Sequence, residues 1–574
     1  MVYVPTLRFG FVWDDQQLVL NNPQLKSGSV APIFTGAFMP ADSAKTEATG
    51  KYYRPLVGLS LLIDSRLHHL SPRGCHLHNI LLHVAATLLF VLLVGFFTRS
   101  DWLRLLFGLL FALYPIHSES VAFVSARTDL LMTVFALATV LLGLGFRRQG
   151  RLTWLVLAAV AMLLALLAKE TPILLPLACL PMVTREPAGR RRGWLLFGVL
   201  ALVCAVYVVI RAQVLSGAVP VVNVMNPLQY GLMLLNIFGT YAAMLSYPFH
   251  QRVFLAQDPR LMQISLLTLF GVALLALPPL LVGSLRRQAV STRTGNPALD
   301  ADYSSSLLFG YLLLFASVLP VSNILSLGLA YAAERLAYLP SAGFLLIVAA
   351  LAGWLLARTK RARALLTGVA ACYLVAMPAN LLHRLPVWRN QIALFRRMVS
   401  EAPGSASAHN NLGNAWLDDV RQPDSAAAEF RKALAIQGRD PELHALLARA
   451  LKERHDTLGA TAEYQEALRL RPDDFETQNN LGQLWGRRGG LDSAVAHLAV
   501  AVNLRPDRAE ARSNLGIAYA MSGQSQAALA EFRQARQIDP GYREVLGNLG
   551  ALFYDLGMRD SARYYLEQAK AAKP

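Results

Sequence analysis

Two adjacent carboxylates, Asp14 and Asp15, follow an aromatic residue in the run Phe11-Val12-Trp13-Asp14-Asp15. A carboxylate within hydrogen-bond reach of a hydroxyl can take its proton, and paired carboxylates can also hold Mg or Mn. More ionisable groups punctuate the apolar sequence that follows. Arg54 stands in Tyr53-Arg54-Pro55-Leu56. His76, Asn79 and His83 fall at i, i+3 and i+7, one face of a helix. His117 and Glu119 lie in Tyr114-Pro115-Ile116-His117-Ser118-Glu119. Arg127 and Asp129 open another apolar run, and Lys169 and Glu170 sit between two. Glu334 and Arg335 precede a late run in Ala333-Glu334-Arg335-Leu336-Ala337-Tyr338-Leu339-Pro340-Ser341. Ionisable groups inside or beside membrane spans are costly and mark functional sites by default. Carboxylates beside Arg, Lys and His suit an enzyme working at a membrane surface. Plainer readings exist residue by residue. His83 reads first as a buried, hydrogen-bonded histidine, and Glu334-Arg335 reads equally well as a structural ion pair. His78 falls off the His76/Asn79/His83 face.

The elements that must position these groups are membrane spans. The 574-residue chain is 54% hydrophobic and 16% charged. Residues 1–385 carry 30 Lys and Arg against 14 Asp and Glu, whereas 386–574 carry 24 against 23. The basic excess therefore belongs to the membrane half and reads as loop charge, not as nucleic-acid binding. Runs long enough to cross a bilayer, roughly 17–25 residues, are expected at 77–97, 102–116, 127–146, 152–168, 193–211, 228–249, 262–285, 307–327, 340–357 and 364–382, with 171–183 as a short eleventh. Basic clusters at Arg147/Arg148/Arg151, Arg185/Arg190/Arg191/Arg192, Arg286/Arg287 and Arg358/Lys360/Arg361/Arg363 place those loops in the cytoplasm. The loop 10–76 and the region 386–574 then lie on the opposite side, together with the groups above. Parity fails around 212–260, which requires an interfacial or re-entrant element there. Too few residues precede Trp13 to span, and no signal peptide is visible, so either span 77–97 alone tethers the loop or, the preferred expectation, a first helix lies upstream. The four cysteines, Cys75, Cys179, Cys204 and Cys372, are scattered and show no metal-ligand spacing.

Residues 401–574 repeat with a period of 34. Ala426, Ala460, Ala494, Ala528 and Ala562 keep that step, as do Ala433, Ala467, Ala501, Ala535 and Ala569. Between them lie Phe430, Tyr464, Leu498, Phe532 and Leu566. Asn-Leu-Gly recurs at Asn411, Asn480, Asn514 and Asn548, and Pro472, Pro506, Pro540 and Pro574 close units. This resembles the tetratricopeptide repeat (TPR), in which small residues sit where two helices touch. Five units are expected to stack into a superhelix with a concave groove for extended peptide. Unit one carries an extra residue near Gln422-Pro423, and unit two has Leu447-Ala448 in place of Leu-Gly. The last apolar face lacks a cap helix and is expected to meet a partner or a second copy.

The order Trp-Asp-Asp, Tyr-Arg-Pro-Leu, His-x-x-Asn-x-x-x-His, Pro-Ile-His-x-Glu, Arg-x-Asp-Leu, Lys-Glu, Ala-Glu-Arg-x-x-Tyr-Leu-Pro-Ser and then TPR units resembles the TMTC-type (transmembrane and TPR repeat-containing) glycosyltransferases. The resemblance implies an all-α fold, a polytopic GT-C-type transmembrane helical bundle followed by a TPR α-solenoid. It divides the chain into a first extracytoplasmic loop (1–76), a multi-span domain (77–385), a linker (386–400) and five TPR units (401–574). It implies transfer of mannose or a similar hexose from a polyprenyl-phosphate donor to Ser/Thr hydroxyls of protein acceptors recruited by the TPR groove. One of Asp14 and Asp15 would be the general base; sequence does not separate Asp15, the narrow favourite, from Asp14. Arg54, His76, His117, Arg127, Lys169 and Arg335 would meet donor phosphate or sugar, with Glu119, Asp129, Glu170 and Glu334 orienting them or binding sugar hydroxyls. No cofactor is expected to be obligatory, although Mg or Mn suits the carboxylate pair. Short loops and an Ala/Leu/Arg-rich composition suggest a bacterial relative in the inner membrane, its site periplasmic. The alternatives are a membrane-anchored TPR adaptor or transporter component for envelope assembly, and a GT-C enzyme with a glycolipid or polysaccharide acceptor.

Overall fold

The computed structural model describes residues 2–26, 28–36, 38, 52–98, 100–180, 187–215, 226–249, 263–291, 303–321, 333–358 and 360–572. Among them every regular element is helical, and the chain divides into two compact units, Met1–Glu401 and Ala402–Pro574.

The long helices of the first unit are α1 (Pro55–His68), α2 (Pro72–Phe97), α3 (Asp101–Ala112), α4 (Arg127–Gln149), α5 (Leu152–Ala168), α6 (Pro187–Val214), α7 (Pro227–Ser246), α8 (Leu266–Ser291), α9 (Tyr303–Val318), α10 (Tyr338–Arg358) and α11 (Lys360–Arg384). Among the described residues, seven stretches are long and apolar enough to cross a membrane. An eighth is, if Asp101–Ala112 and Pro115–Ala122, bent by 44°, form one span. The unit is that of a multi-pass membrane protein. On α2, Leu77, Leu81, Val84, Leu88 and Leu92 are exposed while His76, Asn79 and His83 are buried. The apolar stripe faces outward and the polar face points into the bundle, the inverse of a soluble helix.

The span count differs from expectation. Residues 171–180 form a 3-10 turn (Thr171–Leu174) and a four-residue helix (Leu175–Ala178), not a span. Pro172 and Pro176 each remove a ladder donor and keep the segment from running as one helix. α5 and α9 are apolar but short. Of the expected run 307–327, helix α9 and a 3-10 turn account for residues through Val321; 322–327, Arg185, Pro574 and the stretches 216–225 and 250–262 lie outside the described residues. Helices α7 and α8 approach backbone to backbone. A Cβ on Gly239 would stand 1.8 Å from the Leu267 carbonyl oxygen, and one on Gly271 2.0 Å from that of Leu235. Small residues allow such contacts between spans.

The second unit is a series of paired helices: α12 (Ala406–Asn414) with α13 (Pro423–Ile436), α14 (Pro441–Glu453) with α15 (Thr457–Leu470), α16 (Phe475–Arg487) with α17 (Leu491–Leu504), α18 (Ala509–Met521) with α19 (Ser525–Ile538), and α20 (Arg543–Asp555) with α21 (Arg559–Ala571). The recurrent glycine has a steric cause. A Cβ on Gly413, Gly482, Gly516 or Gly550 would lie 2.6, 2.6, 2.6 or 2.7 Å from Phe430, Leu498, Phe532 or Leu566. Unit two instead buries Ala448 beside Tyr464. The extra residue of unit one is absorbed upstream of where spacing puts it, in a π turn over Ala415–Asp419. A π turn takes up one residue without breaking the helix. Arg421 and His455 then hold, at φ of 57° and 63°, the left-handed turn position that Gly489, Gly523 and Gly557 fill in later units.

Candidate active site

The N-terminal segment folds onto the first unit and presents the acidic pair. Trp13 adopts a left-handed conformation (φ 50°), uncommon for a bulky residue and held only where surroundings enforce it. Here a stack enforces it: Trp13 lies on Phe123 and Phe123 on Trp388, with ring centroids 6.1 and 5.5 Å apart. The turn that follows separates the two carboxylates. Asp15 is fully buried. One oxygen accepts the Ser125 backbone N–H at 2.7 Å and the Ser125 hydroxyl at 2.5 Å, and the other accepts the Val12 N–H at 3.1 Å. Asp14 is half-buried, and its carboxylate makes no hydrogen bond to another described residue. Burial pushes the Asp15 carboxyl up to about 7, against the donors from Ser125 and Val12. Burial also raises Asp14, opposed by the charge of Arg335 and reinforced by that of Glu119.

Three carboxylate–cation pairs lie in the same unit, and the charges of Arg335 and Glu119, which form one of them, are felt at Asp14. Pro115 ends the α3 path, and the chain restarts as the short helix Ser118–Ala122, whose register turns His117, Ser118 and Glu119 toward the segment before α10. Glu119 accepts the Arg335 guanidinium at 2.6 Å and the Arg335 backbone N–H at 3.0 Å. Lys169, at the end of α5, donates to Asp129 on α4 at 2.6 Å. Arg54, at the start of α1, donates to Glu170 at 3.3 Å. Arg335 lies in the fields of Glu119, Asp129 and Asp14, and Lys169 in those of Asp129, Arg54 and Arg335, so the pairs form one cluster. Burial lowers Lys169 against the opposing pull of Asp129. Burial alone would raise Glu170, but Arg54, Lys169 and Arg211 outweigh it and hold the carboxyl low. The Arg335 side chain keeps 23% of its surface, whereas Glu119 keeps none. Part of the Arg335 side chain is thus reachable from outside its pair with Glu119.

The remaining sequence candidates sit elsewhere in the same unit. Arg127 is fully buried and its donors are taken: Asn79 at 2.8 Å, the Cys75 carbonyl at 3.0 Å, Ser60 at 3.4 Å and Asp64 at 2.5 Å. His76 is fully buried, edge-on to Phe9. His117 donates to or accepts from the Ser341 hydroxyl at 2.9 Å. Glu334 and Arg335 do not pair with each other. Both Glu334 oxygens accept Arg384, at 2.8 and 2.6 Å, while Arg335 goes to Glu119. His83 is the buried, hydrogen-bonded histidine expected, between Tyr338 and the Ala112 carbonyl at 2.6 and 3.0 Å. Sequence reasoning missed Ser125, Asp64 and Arg384. Arg384 and Asp64 stand at helix ends near the membrane and could have been flagged by the rule that flagged Lys169. Ser125 carries no signal of its own.

No protein-family model matches the chain. Curated relatives do. Protein O-mannosyl-transferase F38B6.6 of Caenorhabditis elegans is 26% identical over 441 residues, 74% of this chain and 59% of its own length. Human protein O-mannosyl-transferase TMTC3 is 26% identical over 79% of this chain and 52% of its own, and mouse TMTC4 28% over 72% and 62%. The chain is similar to these TMTC and related proteins over about three-quarters of its length, and spans between half and two-thirds of theirs. Among solved structures, MamA from Desulfovibrio magneticus RS-1 aligns with a TM-score of 0.28 at 21% identity, over 29% of this chain and 94% of that one. YrrB, a TPR protein with an unusual peptide-binding site, aligns with a TM-score of 0.28 at 23% identity, over 31% and 92%. The TPR assignment rests on the chain's own helical pairs and their glycine contacts.

Proposed function

We propose that the chain is a membrane glycosyltransferase that moves mannose or a similar hexose from a polyprenyl-phosphate donor to a Ser/Thr hydroxyl of a protein acceptor, with Asp14 as general base. The observation that carries this reading is the half-buried Asp14 carboxylate, free of hydrogen bonds to described residues, in the field of the partly exposed Arg335. In the step, the acceptor oxygen forms a bond to the sugar C1 as the bond from C1 to the phosphate oxygen breaks. The hydroxyl proton passes to Asp14. The bonding pair leaves on the lipid phosphate, whose charge Arg335 receives, with Lys169 and Arg54 adding to the field. Asp15 holds the loop. Its oxygens are occupied by N–H and O–H donors, which makes the pair a poor chelate for Mg or Mn, and the step uses no divalent cation there. The TPR groove recruits the acceptor, and the site faces the periplasm of a bacterial inner membrane, the side opposite the basic loops.

The test is transfer by the purified chain from a polyprenyl-phosphate mannose to a Ser/Thr peptide. Wild type transfers, and Asp14→Asn does not while retaining its melting profile. Full activity of Asp14→Asn removes the base assignment. Absence of transfer with every lipid-phosphate sugar offered would favour an adaptor in envelope assembly.

A further inference from the structure

The junction between α1 and α2 gathers donors of three kinds away from the Asp14 cluster. One ligand atom each from Asp64, His68 and Cys75 lie within 4.8 Å of one another. A second histidine joins them through the same carboxylate oxygen: Asp64 Oδ1 stands 3.2 Å from His68 Nε2 and 2.9 Å from His78 Nδ1. Tetrahedral zinc, bound at roughly 2.0–2.1 Å by nitrogen and oxygen, separates its ligand atoms by about 3.3 Å. The observed spacings are close to such an edge.

The backbone is shaped to bring these atoms together. His69 and Leu70 are both left-handed, at φ of 54° and 53°, a conformation that non-glycine residues adopt only where their surroundings hold them there. Their turn folds His68 back over the start of α2. There the imidazole lies against Gly74, where a Cβ would meet the ring at 2.4 Å. The His68 Nδ1 lies 3.4 Å from the Ser71 hydroxyl, which leaves Nε2 toward Asp64. The other Asp64 oxygen rests on Arg127 at 2.5 Å. Partners of this kind fix the orientation of metal ligands from behind. The His68 and His78 side chains are about a quarter exposed, at 25% and 29%, while Asp64 and Cys75 are buried. An ion can therefore enter from the histidine side.

We propose that Asp64, His68 and Cys75 form a site for a zinc-class transition metal at the α1–α2 junction, with His78 held on the same Asp64 oxygen beside it. A mixed sulfur, nitrogen and oxygen set selects zinc or cobalt over magnesium or calcium. The Cys75 thiol releases one proton to solvent as its sulfur binds. The bound ion latches α1 to α2 and, through Arg127 and Asn79, steadies the turn at Val121 and Phe123.

The full chain, purified in detergent and stripped with chelator, is titrated with Co²⁺. The expected result is about one equivalent bound, with a thiolate-to-cobalt charge-transfer band that added Zn²⁺ abolishes. Cys75→Ser, nearly isosteric, loses the band. His68→Ala, at a partly exposed position, keeps the metal-free melting profile and binds at least about tenfold more weakly. Cobalt retained no better by wild type than by His68→Ala overturns the proposal, as does bound cobalt without a thiolate band.

Discussion

Ser125 donates both its backbone N–H and its hydroxyl to one oxygen of Asp15, at 2.7 and 2.5 Å, across 110 residues of sequence. The relationship splits a carboxylate pair that is chemically symmetrical in the sequence. Asp15 anchors the turn, and Asp14 is left without such an anchor, in the field of Arg335.

Removing each member should therefore have a different effect. Asp14→Asn removes the base, with an expected loss of about 10²–10⁴ in transfer rate and little change in melting temperature. Ser125→Ala removes one of the three Asp15 contacts and leaves the base in place. It should lower transfer by about tenfold and the stability by about 1–3 kcal/mol, since a buried carboxyl loses one of its hydrogen-bond donors. Single-turnover rates and thermal melts of both variants check this; equal rate losses would show that Asp14 has no separate role.

Acidity should act on rate and stability in opposite directions. Transfer requires ionised Asp14, whose pKa burial raises, so the rate climbs as pH rises through that shifted value. Asp15 moves from an ordinary 3.8 to about 7 on folding. The folded chain then binds more protons than the unfolded one between these values, and stability falls as pH rises across that window before levelling off above it. Melting curves of wild type and Asp15→Asn, run across the window, should differ in slope. Parallel curves would remove the shift.

The Glu119–Arg335 pair should be strongly coupled. Arg335→Gln leaves Glu119 buried and unpaired, at an expected cost of about 3–5 kcal/mol. Adding Glu119→Gln should recover most of that loss, because no bare charge remains. The double variant should fold and yet fail to transfer, having lost the cation that meets the phosphate. A double-mutant cycle in thermal stability, read beside the transfer assay, tests both halves.

In the repeats, His455 occupies a left-handed turn position with an exposed side chain. His455→Gly should raise stability by about 1 kcal/mol, since glycine adopts that conformation without the Cβ penalty. The same substitution at Arg421 should act alike, and no change in the melt at either position would contradict the backbone argument.

The repeats were legible almost residue by residue. Period, small positions and glycine all follow from helix contacts within one unit, which local spacing records. The polar groups of the membrane unit were legible as a set, because an ionisable residue near a span stands out against its surroundings. Their pairing was not. Glu334 and Arg335 are neighbours in sequence yet take partners 50 and 216 residues away. Nor could spacing show that Arg127 is enclosed by Asn79, Ser60, Asp64 and the Cys75 carbonyl while Arg335 stays partly exposed. The proline-rich stretch at 171–180 was apolar enough to suggest a span, and hydropathy does not register the donors that Pro172 and Pro176 lack.

The separation of ion-pair partners along the chain has a consequence for biosynthesis. Asp129 and Lys169 are 40 residues apart on consecutive helices, and can neutralise each other as that hairpin leaves the ribosome. Glu119 must wait for Arg335, 216 residues later. Throughout that interval the nascent chain carries an uncompensated carboxylate at the edge of its unfinished bundle, which only a chaperone, the insertion machinery or a bound proton can screen. A chain truncated before Arg335 would never relieve that charge, and should be cleared by membrane quality control even though its early helices are apolar enough to insert.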